Sequence, residues 1–98
     1  MGKDMRYVVT VENMLKPTKR VYCYASHSLA KCRDYVSRKH RGCRLMTRST
    51  DKENDPALIE KYIHVFSRTL REKIILIIRI LYIELDDYEE EILHEKQP

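Results

Sequence analysis

The chain has 98 residues, of which 43% are hydrophobic and 35% are charged. This size and composition predict one globular domain over residues 1–98 and exclude a disordered chain. No apolar run reaches the roughly 20 residues of a membrane-spanning helix, and the N-terminus lacks an apolar segment of secretory-signal length. The three cysteines contain no CxxC pair, so they do not indicate a secreted disulfide framework. We therefore expect a cytoplasmic protein that does not associate with a membrane.

Charge is distributed unevenly along the chain. Residues 1–50 contain 12 Lys and Arg against 3 Asp and Glu, a balance of +9, whereas residues 51–98 contain 7 against 12, a balance of −5. This division indicates either a polyanion-binding surface beside a separate interaction element or two halves that neutralise each other. The sequence predicts a basic unit over residues 1–50 and an acidic-tailed helical element for dimerisation or partner binding over residues 56–95.

Two alternating segments predict a β-hairpin near the N-terminus. In residues 6–12, Tyr7, Val9 and Val11 share one face of an extended chain, which is the period of a half-buried strand. Proline favours a turn in the connection that follows, and residues 20–25 alternate again. We expect the two strands to pair because they are close in sequence.

A helix and a third strand are predicted next. Ser26 or Ser28 can cap the helix, whose apolar residues continue at helical spacing to about His40, and Gly42 suits the residue that ends it. Residues 43–49 then alternate as a strand. A right-handed crossover gives a ββαβ unit with strand order 2-1-3 and the helix on one face.

Two helices are predicted for the C-terminal half. Asp55 and Pro56 suit an N-cap and a first helical residue, and residues 69–72 read Thr-Leu-Arg-Glu, the capping-box pattern. We therefore expect one helix from Pro56, a break near residues 67–69, and a long helix to about His94. The predicted fold class is α+β: a small three-stranded antiparallel or mixed sheet with one crossover helix, followed by these two helices.

Residues 74–85, which read IILIIRILYIEL, are the most apolar segment of the chain. Neither Gly nor Pro occurs between Pro56 and Pro98, and the charged flanks suit a helix. The segment is therefore interpreted as the middle of the long helix. One or two buried strands are the alternative, because Ile and Tyr favour strands and a short apolar run has no diagnostic period.

The long helix, apolar on most of its sides, predicts a homodimer. One side can pack on the sheet or on the preceding helix, and a second copy would bury the rest, since each buried Ile or Leu contributes about 1.5–3 kcal/mol. A monomeric pair of helices that caps the sheet is the alternative. The residues predicted to line the dimer interface are Ile75, Leu76, Ile80 and Ile83.

The basic half predicts a nucleic-acid surface. If the sheet buries the face that carries Val9, the opposite face combines cations, which neutralise phosphates, with tyrosine rings, which stack on unpaired bases. Loop lysines and cations at the helix end extend this surface. A solvated charged face is the plainer interpretation. The predicted nucleic-acid or partner-binding residues are Arg6, Lys16, Lys19, Arg20, Tyr22, Tyr24, Arg38, Lys39, Arg41, Arg44 and Arg48.

Acidic residues near the C-terminus predict a second surface. They lie at the C-terminal end of the predicted helix, where carboxylates oppose the helix dipole. We expect a cationic surface to compensate them: the basic half of this chain, its dimer mate, or another protein. A solubilising end without a partner is the alternative. The predicted acidic partner surface consists of Asp86, Asp87, Glu89, Glu90 and Glu91.

The sequence carries no signature of catalysis or of a cofactor. With only two glycines it has no glycine-rich phosphate loop, and it has no nucleophile elbow and no HExxH motif. The cysteines and nearby histidines have the chemistry of zinc ligands, but their spacing matches none of the usual ligand pairs. We predict a protein that is not an enzyme and that holds no metal or cofactor.

These observations together predict a small non-enzymatic binding module. It binds nucleic acid through the basic sheet face and dimerises through its C-terminal helices. The alternative is a protein-binding inhibitor or adaptor of a phage or mobile element, anti-CRISPR-like by analogy of size and character, that acts on a nucleic-acid-handling complex. Direct binding of phosphates weakens steeply as salt rises, whereas an inhibitor needs a specific protein partner.

Overall fold

The computed structural model describes residues 4–15 and 20–84. In chain order the elements are β1 (Met5–Asn13), β2 (Val21–Ser26), α1 (Leu29–Lys39), β3 (Arg44–Leu45), α2 (Ser49–Asn54), β4 (Leu58–Ser67) and β5 (Lys73–Glu84). This part of the chain is therefore mainly a sheet with two short helices. Neither of these helices has the length and apolar composition needed to cross a bilayer.

The five described strands form one antiparallel sheet in the order β2-β1-β5-β4-β3. The central strand, β5, pairs along its length with β1 on one side and with β4 on the other. The two-residue β3 pairs with β4 at Tyr62 and Ile63. Since β5 has a neighbour on both edges, its backbone donors and acceptors find partners in the sheet.

The first face of the sheet is the one that α1 covers. Val9 of β1 and Ile78 and Ile80 of β5 are fully buried there. They pack with Cys32 and Val36 of α1, which lie one helical turn apart and so share the helix face that meets the sheet. This cluster is the main hydrophobic core.

The second face of the sheet carries a smaller apolar group and a row of charged side chains. Val8, Ile77 and Leu81 are buried on this face. The short helix α2 lies against it at β4, where Lys61 pairs with Asp51 at 2.9 Å. Alternation in β1 and β5 therefore places buried side chains on both sides of the sheet.

The predicted hairpin and the helix after it are confirmed, because β1 and β2 pair and α1 follows them. Ser28 is the N-cap of α1, and its hydroxyl accepts from the backbone N–H of Lys31 at 3.4 Å. Beyond the helix, Gly42 has a φ of +89°. That left-handed conformation suits glycine, which has no Cβ to clash.

The predicted fold class is wrong in the C-terminal half. No helix begins at Pro56, and none occupies residues 69–84, because β4 and β5 lie there instead. The alternative interpretation of residues 74–85 as a strand agrees with the structure as far as Glu84. A central strand that is covered on both faces is apolar at nearly every position, so the segment lacks the alternation that marks a half-buried strand.

The predicted ββαβ unit is also wrong. The third strand, expected over residues 43–49, is reduced to β3 at an outer edge of the sheet. β5 takes the predicted place of that strand beside β1, so the order 2-1-3 is replaced by β2-β1-β5-β4-β3. β5 has twelve residues, most of them apolar, and it pairs with β1 and with β4. The segment after Gly42 contributes only the two residues of β3 to the sheet.

The helical surface predicted for dimerisation is therefore absent. Ile75, Leu76, Ile80 and Ile83 belong to β5, and Ile80 is fully buried against α1. The dimer was predicted because a long helix would expose apolar residues that a second copy could bury. Because β5 takes the place of that helix, this reason for a dimer no longer applies. The homodimer stays a prediction without that support.

The predicted acidic partner surface lies outside the described residues. Its members are Asp86, Asp87, Glu89, Glu90 and Glu91.

Candidate nucleic-acid interface

The second face of the sheet brings together several of the predicted binding residues. Strand alternation and register place Arg6, Tyr22 and Arg44 on this face. Arg20, just before β2, reaches a carboxylate of the same face. The structure thus places these four of the predicted residues on one face.

Carboxylates neutralise the centre of this face. Arg6 donates to Asp4 at 2.8 Å. The remaining ion pairs are Arg20 with Glu12 and with Asp55, both at 3.9 Å, Arg79 with Glu12 at 3.7 Å, and Lys61 with Asp51 at 2.9 Å. Three cations thus face three carboxylates at the centre of the face. The predicted basic sheet face is electrically balanced there, which removes most of its attraction for phosphate.

Tyr24 does not lie with the other predicted residues. Between β1 and β2 the register shifts, so that Val9 pairs with Tyr24 and Thr10 pairs with Tyr22. The residue between the two tyrosines is therefore an extra one, and their side chains point to opposite faces. Tyr24 stacks on Tyr35 of α1, with ring centroids 4.8 Å apart and planes 6° apart. Its ring is part of the packing under α1.

A different part of the molecule holds a cluster of cations that have no acidic partner among the described residues. The ends of β1 and β4 and the starts of β2, β3 and β5 lie at one end of the sheet. α1 ends there too, since the ring of His40 lies 5.9 Å from that of His64 in β4. We call this surface the basic end. Its described cations are Lys39, Arg41, Arg44, Arg68, Arg71 and Lys73.

All six side chains of the basic end are exposed. Within residues 4–15 and 20–84, no ion pair involves any of them. At the opposite end of the sheet, the Asp4 carboxylate is paired with Arg6 and His27, both at 2.8 Å. At the basic end, the turn between β4 and β5 adds the carboxylate of Glu72 to the six cations, so the positive charges outnumber it and the local potential is positive.

The sequence prediction and the basic end overlap at Lys39, Arg41 and Arg44. Arg38 instead pairs with Asp34 one turn earlier in α1, at 2.9 Å. Arg48 lies at the start of α2 and outside the basic end. Lys16 and Lys19, also predicted, lie outside the described residues.

Three members of the basic end, Arg68, Arg71 and Lys73, are absent from the sequence prediction because it drew its cations from the basic half, residues 1–50. In the structure they flank the turn between β4 and β5. The Thr69 hydroxyl accepts from the backbone N–H groups of Arg71 and Glu72, at 3.3 and 3.1 Å. The sequence signal that could have indicated a basic hairpin turn is Thr69. It is a hydroxyl residue among cations, and it lies between two segments that contain β-branched residues.

The cysteines and histidines do not assemble into a metal centre within the described residues. No group of three or more His, Cys, Asp or Glu side chains there is arranged to hold a metal ion. Cys32 is fully buried, and burial raises the pKa of its thiol to about 11. Burial, with His64 nearby, lowers the pKa of His40. Both effects favour the uncharged form of the His40 ring at the basic end.

Comparisons with protein-family models, with curated proteins and with solved structures found no match to this chain.

Proposed function

We propose that the protein is a small nucleic-acid-binding module whose binding surface is the basic end. The observation that carries this proposal is the set of six exposed cations that make no ion pair within the described residues. Such cations are free to neutralise phosphates and to release the counterions condensed on them. Counterion release is the main source of sequence-independent affinity for nucleic acid.

Exposed apolar side chains accompany these cations. Leu70, in the turn between β4 and β5, is fully exposed, and the ring of Phe66 at the end of β4 is 36% exposed. An exposed ring between phosphate-binding cations can stack on an unpaired base. The basic end therefore supports binding of single strands as well as of duplexes.

The experiment that tests the proposal is a fluorescence anisotropy titration against labelled single- and double-stranded DNA and RNA, at low and near-physiological salt. The informative variant is Arg41→Ala/Arg71→Ala, which removes one cation from each of two connections of the basic end. Each phosphate contact contributes close to one unit to the slope of log K against log salt. We therefore expect the double variant to bind more weakly and to lower this slope by about 2.

The matched control is Lys31→Ala/Lys52→Ala. Lys31 in α1 and Lys52 in α2 are exposed, and neither has an ion pair within the described residues. This variant removes the same net charge away from the basic end, so its salt slope should match that of the unmodified protein. Absence of binding at low salt would overturn the proposal, and equal losses in the two variants would show that net charge, rather than the basic end, is responsible.

A second proposal is the predicted alternative, a protein-binding inhibitor or adaptor. The outer edge of β4 favours it, because β3 pairs with β4 at only Tyr62 and Ile63. Leu45 and Val65 beside this edge are 59% and 47% exposed. A sheet edge with apolar side chains can accept a strand from a partner. A stoichiometric protein complex, together with no affinity for nucleic acid at low salt, would support this second proposal.

A further inference from the structure

A cleft of about 410 Å³ opens on the first face of the sheet, next to the basic end. It lies between the last turns of α1 and the strands β1, β2 and β5. Val11, Val21 and Leu76 form its apolar floor, and the rings of Tyr35 and His40 line its helical side. The volume falls within the range of about 300–1,000 Å³ that small-ligand sites occupy.

The rings that line this cleft are held in place by other rings. Tyr35 stacks on Tyr24 with a centroid separation of 4.8 Å, and His40 meets His64 edge to face at 5.9 Å. These contacts fix both side chains before any ligand arrives. A site whose walls are already ordered loses less conformational entropy on binding.

Asn13 supplies a polar group in the same cleft. Its amide oxygen accepts from the backbone N–H of Leu15 at 3.0 Å, which settles the orientation of the amide. The amide NH₂ group then has no acceptor among the described residues. Two N–H donors at the edge of an apolar cleft are available to a ligand that carries acceptors on its rim.

Lys39 connects the cleft to the basic end. Its side chain lines the cleft, and it belongs to the six cations of the basic end, none of which has an ion pair among the described residues. An occupant of the cleft that is covalently joined to an anion would place that anion near Lys39 and Arg41. The cleft thus combines an apolar floor flanked by rings, N–H donors at its edge and a nearby cation. A nucleotide base in a single strand has the matching features: a flat ring, acceptors on its rim and an attached phosphate.

We propose that this cleft receives one unpaired base of a single-stranded nucleic acid whose phosphates lie on the basic end. The inference rests on the proposed function and specifies its substrate as single strands. A duplex keeps its bases stacked and paired, so it can use only the phosphate contacts. A single strand gains the base contact in addition to those phosphate contacts.

The test compares three labelled ligands of equal length: a single strand, the same backbone with stable abasic sites throughout, and a duplex. Fluorescence anisotropy at one low salt concentration gives the affinity of the unmodified protein for each. One stacked base contributes about tenfold or more in affinity, so we expect the single strand to bind about tenfold more tightly than the abasic strand. DNA and RNA versions show which sugar the site accepts.

The diagnostic variant is Val21→Phe, which fills the cleft from an edge strand without changing charge. Val21 is 40% exposed, so the larger ring requires no rearrangement of the core. The matched control is Val65→Phe on β4, outside the cleft and 47% exposed. We expect Val21→Phe to lose most of the preference for the normal over the abasic strand, leaving only what stacking on Phe66 contributes, and Val65→Phe to keep the tenfold preference.

If Val21→Phe fails to fold, as judged by circular dichroism, Asn13→Asp replaces it. Asn13→Asp keeps the acceptor for Leu15 but loses the NH₂ donors, and its added charge weakens both strands alike. The ratio of the two affinities then reports the base contact alone.

The possible results separate the two proposals. Equal binding of normal and abasic strands by the unmodified protein would overturn the base site and leave nucleic-acid binding intact. A tenfold preference that survives in both Val21→Phe and Asn13→Asp would also overturn it, because the base would then bind elsewhere. No binding to any of the three ligands at low salt would instead overturn the proposed function.

Discussion

Ile80 offers a direct test of the strand at the centre of the fold. It is 0% exposed, lies in β5 between β1 and β4, and packs on the first face with Val36 of α1. Ile80→Ala removes three carbon atoms from this position. At about 0.8 kcal/mol for each buried carbon, the lost transfer free energy alone is about 2.4 kcal/mol.

The cavity left by Ile80→Ala adds to that loss. A rigid sheet on one side and a helix on the other limit the collapse of the cavity, so we expect a total near the middle of the range of about 2–5 kcal/mol. Ile80→Val removes a single carbon and should cost about 0.5–1.5 kcal/mol. A domain of this size has about 5–15 kcal/mol of stability, so Ile80→Ala removes a large fraction of it.

The assay is urea denaturation followed by circular dichroism at two protein concentrations tenfold apart. Val65→Thr is the control, because this exposed residue of β4 keeps its branched shape and should change stability by no more than about 0.5 kcal/mol. A loss below 1 kcal/mol for Ile80→Ala would refute the assignment of Ile80 to the core. A loss that grows on dilution would refute it too, since an interface between two copies weakens with dilution whereas a core within one chain does not.

Three further predictions concern single sites. Gly42→Ala should cost about 1–2 kcal/mol in the same urea assay, because the φ of +89° is left-handed; an unchanged midpoint would show that the turn does not need it. Burial raises the pKa of Cys32 to about 11, so the thiol should react with a thiol reagent at neutral pH only after denaturation; rapid reaction in the native protein would contradict the burial. A hydrogen bond from Lys61 lowers the pKa of Asp51 below 3.8. Its stabilisation is therefore present above the unfolded value and is lost as pH falls through the folded one, so Asp51→Asn should flatten the decline in stability between roughly pH 5 and pH 2; equal declines would contradict this pairing.

The C-terminal half shows how a correct local signal can predict the wrong element. Residues 69–72 have the capping-box pattern, and Thr69 does accept backbone N–H groups as an N-cap residue would. Asp55 likewise accepts from the backbone N–H of Ala57 at 3.3 Å. In both places the side-chain hydrogen bond closes a turn before a strand. The same bond serves turns and helix starts, so it cannot distinguish them.

The proposed binding surface could be predicted only in part from the sequence. Lys39, Arg41 and Arg44 follow from the basic half and from the helix end near Gly42. Arg20 belongs to the same basic half, yet Glu12 and Asp55 lie beside it in the fold. Which cations keep a free charge depends on carboxylates that are distant in sequence, so composition alone does not separate the two groups.

The sequence by itself determined the N-terminal hairpin, the helix α1 and the turn at Gly42. Their signals are local: period-2 alternation, a serine cap and a glycine in a left-handed conformation. The tertiary structure alone decided that residues 74–84 form a strand and that one end of the sheet is basic. An apolar segment buried on both sides satisfies a helix or a central strand equally well, and only its hydrogen-bonded neighbours β1 and β4 select the strand.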